Sequence, residues 1–399
     1  MNRTGGVGKV QPIVFVDDAH TYGGAQIALA WAIRAVLHHC SRPVICICTA
    51  ATRDAIQPLT GNDQKFSFIE CKPALPINIL TFPLRLWSFS RLLAPLLRQG
   101  VYAWWFNLSG IEFCLAPLCI LRWFGVRPIA WLHNSETFQF YTARQSATRR
   151  LVGRLRDAVA NRFAFGLYKR IVTPSHATEE RLKERFRRTN SPPTGFLYPI
   201  VGLESKSRDG RRNESDSAET RISLWMISRV EYVQKNNLAC LHILKQLLDQ
   251  KKSAYLTVVG DGPDMPDFRK STRDMGLSEF VEFKGWQKSP WELVPDGGIV
   301  LIPSAFEAMP MVATEAMRQG VRMVTSPIPA FYEGSPNELI ARDFSIDAFV
   351  EKVGEVSAMS REQVSALYEK ALTKFADEAF VAKFKSYLQM DFGWMADLD

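Results

Sequence analysis

The stretch Ser304-Ala-Phe-Glu307-Ala-Met-Pro-Met-Val-Ala-Thr-Glu315-Ala-Met sets two carboxylates eight residues apart, just beyond the apolar run Ile299–Ile302. That run predicts a strand. Pro310 suits the first turn of a following helix, Glu315 falls inside that helix, and Gly320 stops it. A helix start offers backbone N–H groups without intrahelical partners and the positive end of a dipole, which together make a seat for phosphate oxygens. One carboxylate in the loop and another about two turns later can border the same bound ligand. Because a Glu pair at this spacing is common on solvated helices, its neighbours must decide what it does.

Three further strand ends carry groups of matching chemistry. Ser228-Arg229-Val-Glu-Tyr-Val-Gln-Lys235-Asn236 follows the strand Arg221–Ile227. It offers a bidentate fork and a point charge suited to a diphosphate. Val258-Val-Gly260-Asp261-Gly262-Pro263 is a strand running into a glycine turn, with Asp261 read as a turn residue, and Val281-Glu-Phe-Lys-Gly285-Trp286 ends another strand.

The elements that must position these groups alternate along the chain. In the first half, Pro12–Asp17, Val44–Thr49, Phe66–Glu70, Val101–Phe106, Arg127–His133 and, as the last, Arg170–Ser175 read as strands. Gly23 and Gly24 open a helix over Ala25–His38, and the fifth strand delivers His133 at its end. In the second half the strands are Arg221–Ile227, Tyr255–Gly260, Val281–Lys284, Ile299–Ile302 and Val321–Ser326. Helices are expected at Lys235–Leu248, Asp264–Met275 and Val312–Arg318, with a helical region from Ser345 to Met390. Strand–helix alternation of this kind gives an α/β fold with a doubly wound parallel sheet, whose ligands sit beyond the carboxyl ends of the strands.

At 399 residues the chain suits two domains. The polar segment from Gly202 to Thr220 divides it into a first domain at 1–200, a linker at 201–220 and a second domain at 221–375, with a terminal helical piece at 376–399 expected to pack back on the first. Hydrophobic residues at 47% and charged residues at 23% exclude disordered and fibrous classes. The net charge of +8 suggests an anionic partner without choosing one. Seven cysteines without a CxxC pair, and no signal peptide, read as reduced thiols in a cytosolic protein and give no expectation of zinc. The most apolar segment, Gln99–Leu121, is broken by Asn107, Ser109, Gly110, Glu112 and Pro117 and reads as a strand and a helix, not a membrane span. Gly5-Gly6-Val-Gly8 precedes the first strand and is no dinucleotide fingerprint.

Taken together, Arg229 and Lys235, the GDGP turn, the V-x-F-x-G strand and the E-x7-E pair, in this order, resemble the family-4 retaining glycosyltransferases of the GT-B fold. The likeness is strongest from Arg221 to about Glu333 and extends to Tyr22-Gly-Gly-Ala-Gln26, His133-Asn134 and Thr173-Pro-Ser-His-Ala-Thr178. It implies two Rossmann-like domains facing a central cleft. It further implies that Arg229 and Lys235 bind the donor diphosphate, supported by the backbone amides around Ala308, Met309, Pro310 and Met311 (proline itself offering no N–H), and that Glu315 holds the ribose. Glu307 would contact the transferred sugar and steady charge at its anomeric carbon. His133 would lie near that sugar, Gly23 and Gly24 would approach donor and acceptor, and Gly285-Trp286 would border the base. The sequence departs from the family's usual pattern at Ala308, where Gly is usual, at Gln26, where Glu is usual, and at Leu197–Gly202, where an Asn-Gly turn is usual.

The implied reaction moves a hexose from a nucleotide diphosphate sugar, GDP-mannose or a UDP-hexose, to a saccharide or lipid-linked acceptor in cell-envelope polysaccharide or lipopolysaccharide synthesis. It needs no metal and no cofactor besides the co-substrate. Arg144–Asn190 holds 13 Lys/Arg against four Asp/Glu, interleaved with apolar residues. This pattern reads either as a packed helix with a solvated basic face or as a peripheral contact with an anionic inner-leaflet surface. A second patch is expected at Ile79, Leu80, Phe82, Leu84, Leu86, Trp87 and Phe89 with Arg85 and Arg91. The competing readings are a non-catalytic GT-B scaffold subunit and a GT-B phosphorylase or epimerase. No nucleic-acid-binding pattern is present.

Overall fold

The computed structural model describes residues 10–17, 23–61, 63–71, 82–108, 115–133, 165–186, 191–202 and 221–394. The linker from 203 to 220 and residues 144–164 of the basic stretch lie outside them, as do Tyr22, Ile79, Leu80 and Asn134. The chain divides into two compact units, Met1–Val201 with Phe375–Asp399, and Gly202–Lys374.

The first unit is built on a parallel sheet of β1 (Ile13–Asp17), β2 (Val44–Cys48), β3 (Phe66–Glu70), β4 (Trp104–Leu108), β5 (Ile129–Leu132), β6 (Arg170–Thr173) and β7 (Thr194–Phe196). Its spatial order is β3-β2-β1-β4-β5-β6-β7. All five residues of β1 and of β4 are buried, the apolar signature of strands covered on both faces. Among the described residues up to Val201 its helices are α1 (Gly24–His39), α2 (Ala50–Thr60), α3 (Phe82–Arg98), α4 (Leu115–Trp123) and α5 (His176–Phe186). The strand β7 follows what the sequence reads as the last strand of this half. Only three residues long and preceded by Pro192-Pro193, it has no apolar run to announce it.

The second unit carries β8 (Ile222–Ile227), α6 (Tyr232–Lys235), α7 (Leu238–Asp249), β9 (Ala254–Val259), α8 (Met265–Asp274), β10 (Val281–Gly285), β11 (Ile299–Ile302), α9 (Met311–Arg318), β12 (Arg322–Thr325), α10 (Pro329–Gly334), α11 (Ile346–Ala358) and α12 (Arg361–Leu372). Its parallel order is β10-β9-β8-β11-β12. The helix expected over Lys235–Leu248 is divided: Asn236, in the left-handed region at φ 49°, ends α6 and lets the chain turn before α7.

The last helix, α13 (Asp377–Phe392), returns to the first unit. Phe384 stacks on Phe15 of β1 at 5.9 Å and meets Trp105 of β4 at 4.7 Å, while Phe380 meets Trp131 of β5 at 5.8 Å. Arg170 Nε donates to Asp391 Oδ2 at 2.6 Å and fixes the helix's end. No helix among the described residues is long and apolar enough to cross a membrane. Within Gln99–Leu121, β4 and α4 occupy the described parts.

In both sheets the strand order reverses next to the first strand of the unit, between β1 and β4 and between β8 and β11. In open parallel sheets that reversal leaves a crevice at the carboxyl ends. The loops that follow β8 and β11 carry Arg229, Lys235 and Glu307; the ends of β1 and β4 carry Asp17 and Asn107.

Candidate active site

Glu307 lies in the loop between β11 and α9, only 7% exposed. Lys235 Nζ, at the end of α6, stands 2.5 Å from its Oε1, and Ser304 Oγ donates to the same oxygen at 2.8 Å. Gln234 Nε2 donates to Oε2 at 3.2 Å. The two loops are joined through their backbones as well, since Ala305 N donates to the Gln234 carbonyl at 2.8 Å. From the end of β12, Ser326 Oγ donates to the Ser304 carbonyl at 2.5 Å. Such a set, one ammonium and two neutral donors, replaces the water that a buried carboxylate has lost.

The loop from Ser228 to Asn237 owes its shape to residues outside the charged pair. Asn237 Oδ1 accepts from Glu231 N at 2.7 Å and its Nδ2 donates to Ser228 Oγ at 3.0 Å. Asp264 Oδ2 accepts from Tyr232 N at 2.7 Å. The glycine turn after β9 packs directly beneath this loop, and Val230 N donates to the Asp261 carbonyl at 3.0 Å. A Cβ at Gly260 would stand 2.0 Å from the Ser228 carbonyl oxygen, and one at Gly262 would stand 2.2 Å from that of Val230. Gly260 also sits at φ +134°, so both space and backbone demand glycine there. Asp261 takes a turn role, its Oδ1 accepting from Gly262 N at 2.7 Å. Arg229 leaves the same loop more than half exposed and pairs with Glu231, whereas Glu307 takes Lys235.

Pro310, in extended conformation, caps α9 without a side-chain hydrogen bond, and Met311 is the helix's first residue. Ala308 is half-buried and Met309 and Pro310 are buried in the approach to it. Glu315 lies one turn further on, half-buried, and its Oε2 accepts from Trp291 Nε1 at 3.0 Å. Loss of water around it pushes its carboxyl up to about 7, against the smaller opposing effect of the indole hydrogen bond. Glu315 is thus poised to accept from or donate to a hydroxyl. Gly285 closes β10, its carbonyl accepting from Gly260 N at 2.8 Å, and Trp286 beyond it is 72% exposed.

The residues picked from the first half form a separate group in the first unit. Gly23 caps α1, with Gly24 its first residue, and Gln26 Oε1 accepts from Gly23 N at 3.1 Å. Gln26 thus closes the helix's first turn. His133 follows β5, half-buried, its ring 4.4 Å from that of Trp131 and its Nε2 2.7 Å from Asn107 Oδ1. The segment Thr173–Thr178 is a helix cap: Ser175 Oγ accepts from Thr178 N at 3.2 Å at the start of α5. Asp17 is fully buried and bonded to Gln26 and Asn107, while Asp18 lies outside the described residues. Among the described residues, His176, Glu179 and Glu180 gather closely enough to share an ion, but Lys183 already pairs with both carboxylates, at 3.0 and 2.8 Å.

Of the apolar and basic surface expected around residues 79–91, Leu84 at 58% and Trp87 at 61% are exposed on α3, with Arg91 5.0 Å from the Trp87 ring. Arg85 is not part of that face. It is 5% exposed because it shares the inward row of α3 with Phe89, Leu93 and Leu97 at helical spacing. The end of α4, which packs on α3, adds Trp123 at 89% and Phe124 at 47%.

Gln234, Ser304, Trp291 and Asn107 hold the site carboxylates and the histidine in place, although none was singled out for that role in the sequence. Their only signal is position, one residue before Lys235, two beyond β11, in the turn after β10, and inside β4.

Residues 221–358 match the family model of the glycosyl transferases group 1. The chain is 27% identical over 140 residues to the lipopolysaccharide 1,6-galactosyltransferase of Salmonella typhimurium, an alignment covering 33% of this chain and 39% of that protein. The matched region therefore spans about two fifths of that relative's length. In fold, the chain is similar to the lipopolysaccharide outer core galactosyltransferase WaaB at 16% identity and a TM-score of 0.64, covering 95% of this chain and all of that one. It is also similar to Anabaena HepE in complex with UDP and glucose at 15% identity and a TM-score of 0.66, with the same coverage. Both units thus have the GT-B architecture.

Proposed function

We propose, from the match of residues 221–358 to the family model of the glycosyl transferases group 1, that the chain is a retaining glycosyltransferase moving a hexose from a nucleotide diphosphate sugar to a lipopolysaccharide-type or other lipid-linked saccharide acceptor. The observation that carries this reading is Glu307 held by Lys235, Ser304 and Gln234 beside the start of α9.

In this reading the departing nucleoside diphosphate meets the Lys235 ammonium, the Arg229 guanidinium and the N-terminal amides of α9. Charge on the leaving group is met by fixed cations and dipoles, without a resident metal or cofactor. Glu307, bonded on both oxygens, stabilises positive charge at the anomeric carbon as the glycosidic bond breaks. Glu315, kept on its indole partner, takes the ribose hydroxyls. The acceptor hydroxyl then attacks on the face the diphosphate leaves, and the leaving phosphate takes its proton, so configuration is retained.

UDP is the favoured nucleotide, since HepE is described with UDP and the sequence relative is a galactosyltransferase. An anionic inner-leaflet surface is the favoured setting. Exposed Leu84, Trp87, Trp123 and Phe124, with Arg91 over the Trp87 ring, suit an interface where apolar groups insert and cations meet phosphate.

The test is a thermal shift with UDP, GDP and ADP and their sugars, followed by transfer to lipid-linked saccharide with radiolabelled donor. A nucleotide that binds the folded state raises the melting point. Stabilisation by UDP and UDP-hexoses with sugar transfer supports the reading; no stabilisation by any nucleotide overturns it. Failure to float with anionic vesicles at low salt would remove the membrane setting alone.

A further inference from the structure

Four polar side chains converge at the carboxyl end of β1, where a simple sheet end requires none. Asp17, fully buried, accepts from Gln26 Nε2 at 3.2 Å and from Asn107 Nδ2 at 3.2 Å. Asn107, 1% exposed on β4, also donates through Nδ2 to the Ala25 carbonyl at 3.3 Å. Its Oδ1 stands 2.7 Å from His133 Nε2.

Counting donors gives this chain a direction. An amide nitrogen carries two hydrogens and no acceptor, and both groups facing Nδ2, a carboxylate and a carbonyl, can only accept. Turning the amide over would set its oxygen 3.2 and 3.3 Å from two other oxygens with no hydrogen between them. The oxygen therefore faces His133, and the hydrogen of that bond belongs to Nε2.

We propose that Asp17 and Asn107 are positioning residues that hold His133 as the Nε2–H tautomer, so that its Nδ1 lone pair accepts a hydrogen bond from a sugar hydroxyl. The sugar rests on the reading under Proposed function; the tautomer does not. Burial keeps the ring neutral, holding its pKa down to about 3. The group bonded to Nε2 is an amide, which transmits orientation and offers no negative charge to an imidazolium. His133 is accordingly set up to accept a hydrogen bond, not to carry away a proton as a general base does.

Long-range proton–nitrogen correlation on the full chain, labelled at its six histidines, tests this directly, with His133→Gln assigning the signal. The expected pattern at pH 7 is a neutral ring with nitrogen-bound hydrogen on Nε2 and an unprotonated Nδ1. An Nδ1–H tautomer, an averaged pattern or an imidazolium overturns the proposal. Asn107→Leu is expected to lose the single tautomer and to lower kcat for transfer about 10-fold to 100-fold, with the Kd for UDP unchanged. Asn107→Asp keeps the side chain's shape but sets a carboxylate on Nε2 near Asp17. If the leucine variant does not fold, this one decides: the His133 titration midpoint must rise by about one pH unit or more, and an unmoved midpoint refutes the assignment. The expected wild-type spectrum in a protein that transfers no sugar would leave the tautomer standing and sink only the functional reading.

Discussion

Lys235 Nζ lies 2.5 Å from Glu307 Oε1, joining the loop after β8 to the loop after β11 at the point where the strand order of the second unit reverses. In the proposed reading, the cation that would meet a diphosphate is paired with the carboxylate that would face the sugar, so donor binding would exchange one partner for another.

Glu307→Gln keeps the side chain's size and its bond to Ser304 but removes the charge. Transfer kcat is expected to fall about 100-fold or more, in the range lost when a group stabilising transition-state charge is deleted. The UDP dissociation constant, read by calorimetry, should hold or tighten, because Lys235 is no longer occupied. A variant with full kcat would remove Glu307 from the chemistry.

Arg229→Ala separates nucleotide binding from stability. Its side chain is 55% exposed in a surface pair with Glu231, so the loss of stability in urea should stay below about 0.5 kcal/mol. UDP affinity should drop about 10-fold, equivalent to ~1.4 kcal/mol of charge-assisted bonding. Unchanged UDP affinity would assign Arg229 to the surface and leave the diphosphate to Lys235 and α9.

The carboxyl of Glu315 titrates at about 7 in the folded protein against an ordinary 4.5. The folded protein keeps a proton that the unfolded chain releases, so this group's contribution to stability falls as pH rises from 4.5 and levels off above about 7. Melting temperatures measured between those limits should decline in wild type more than in Glu315→Gln, which does not titrate. Parallel curves would contradict the raised value.

Gly260→Ala is expected to cost about 2 kcal/mol or more, combining positive φ with a Cβ set against the Ser228 carbonyl. UDP binding should weaken with it, since the displaced strand end carries the loop of Arg229 and Lys235. A fully stable variant that binds UDP normally would show that this turn does not set the loop.

Much of this molecule was legible from residue type alone, for reasons that differ by element. Ile299–Ile302 and Phe66–Glu70 match the expected strands, because short apolar runs bounded by turn residues have few other ways to fold. Glu307 and Lys235 were legible as a charge pattern, but their direct contact was not: it depends on the Ala305–Gln234 backbone bond, which joins residues far apart in sequence. The break at Asn236 was missed because a left-handed residue inside an apolar helical pattern leaves the pattern intact. Arg85 was misplaced because its type argues for solvent while its spacing with Phe89 and Leu93 argues for the interior, and spacing won. The α3 helix was hidden behind Pro83 and Pro95, the second of which it tolerates within its length.

The return of α13 to the first unit has a bearing on biosynthesis. Phe15, Trp105 and Trp131 are strand residues of the first 201 positions, yet their aromatic cover, Phe380 and Phe384, is translated only after the second unit. The whole intervening unit is translated while that sheet face waits uncovered. A message truncated after residue 201 would yield a sticky fragment rather than a usable half, and the nascent protein's exposure to chaperones is set by the time taken to read from Gly202 to Phe392.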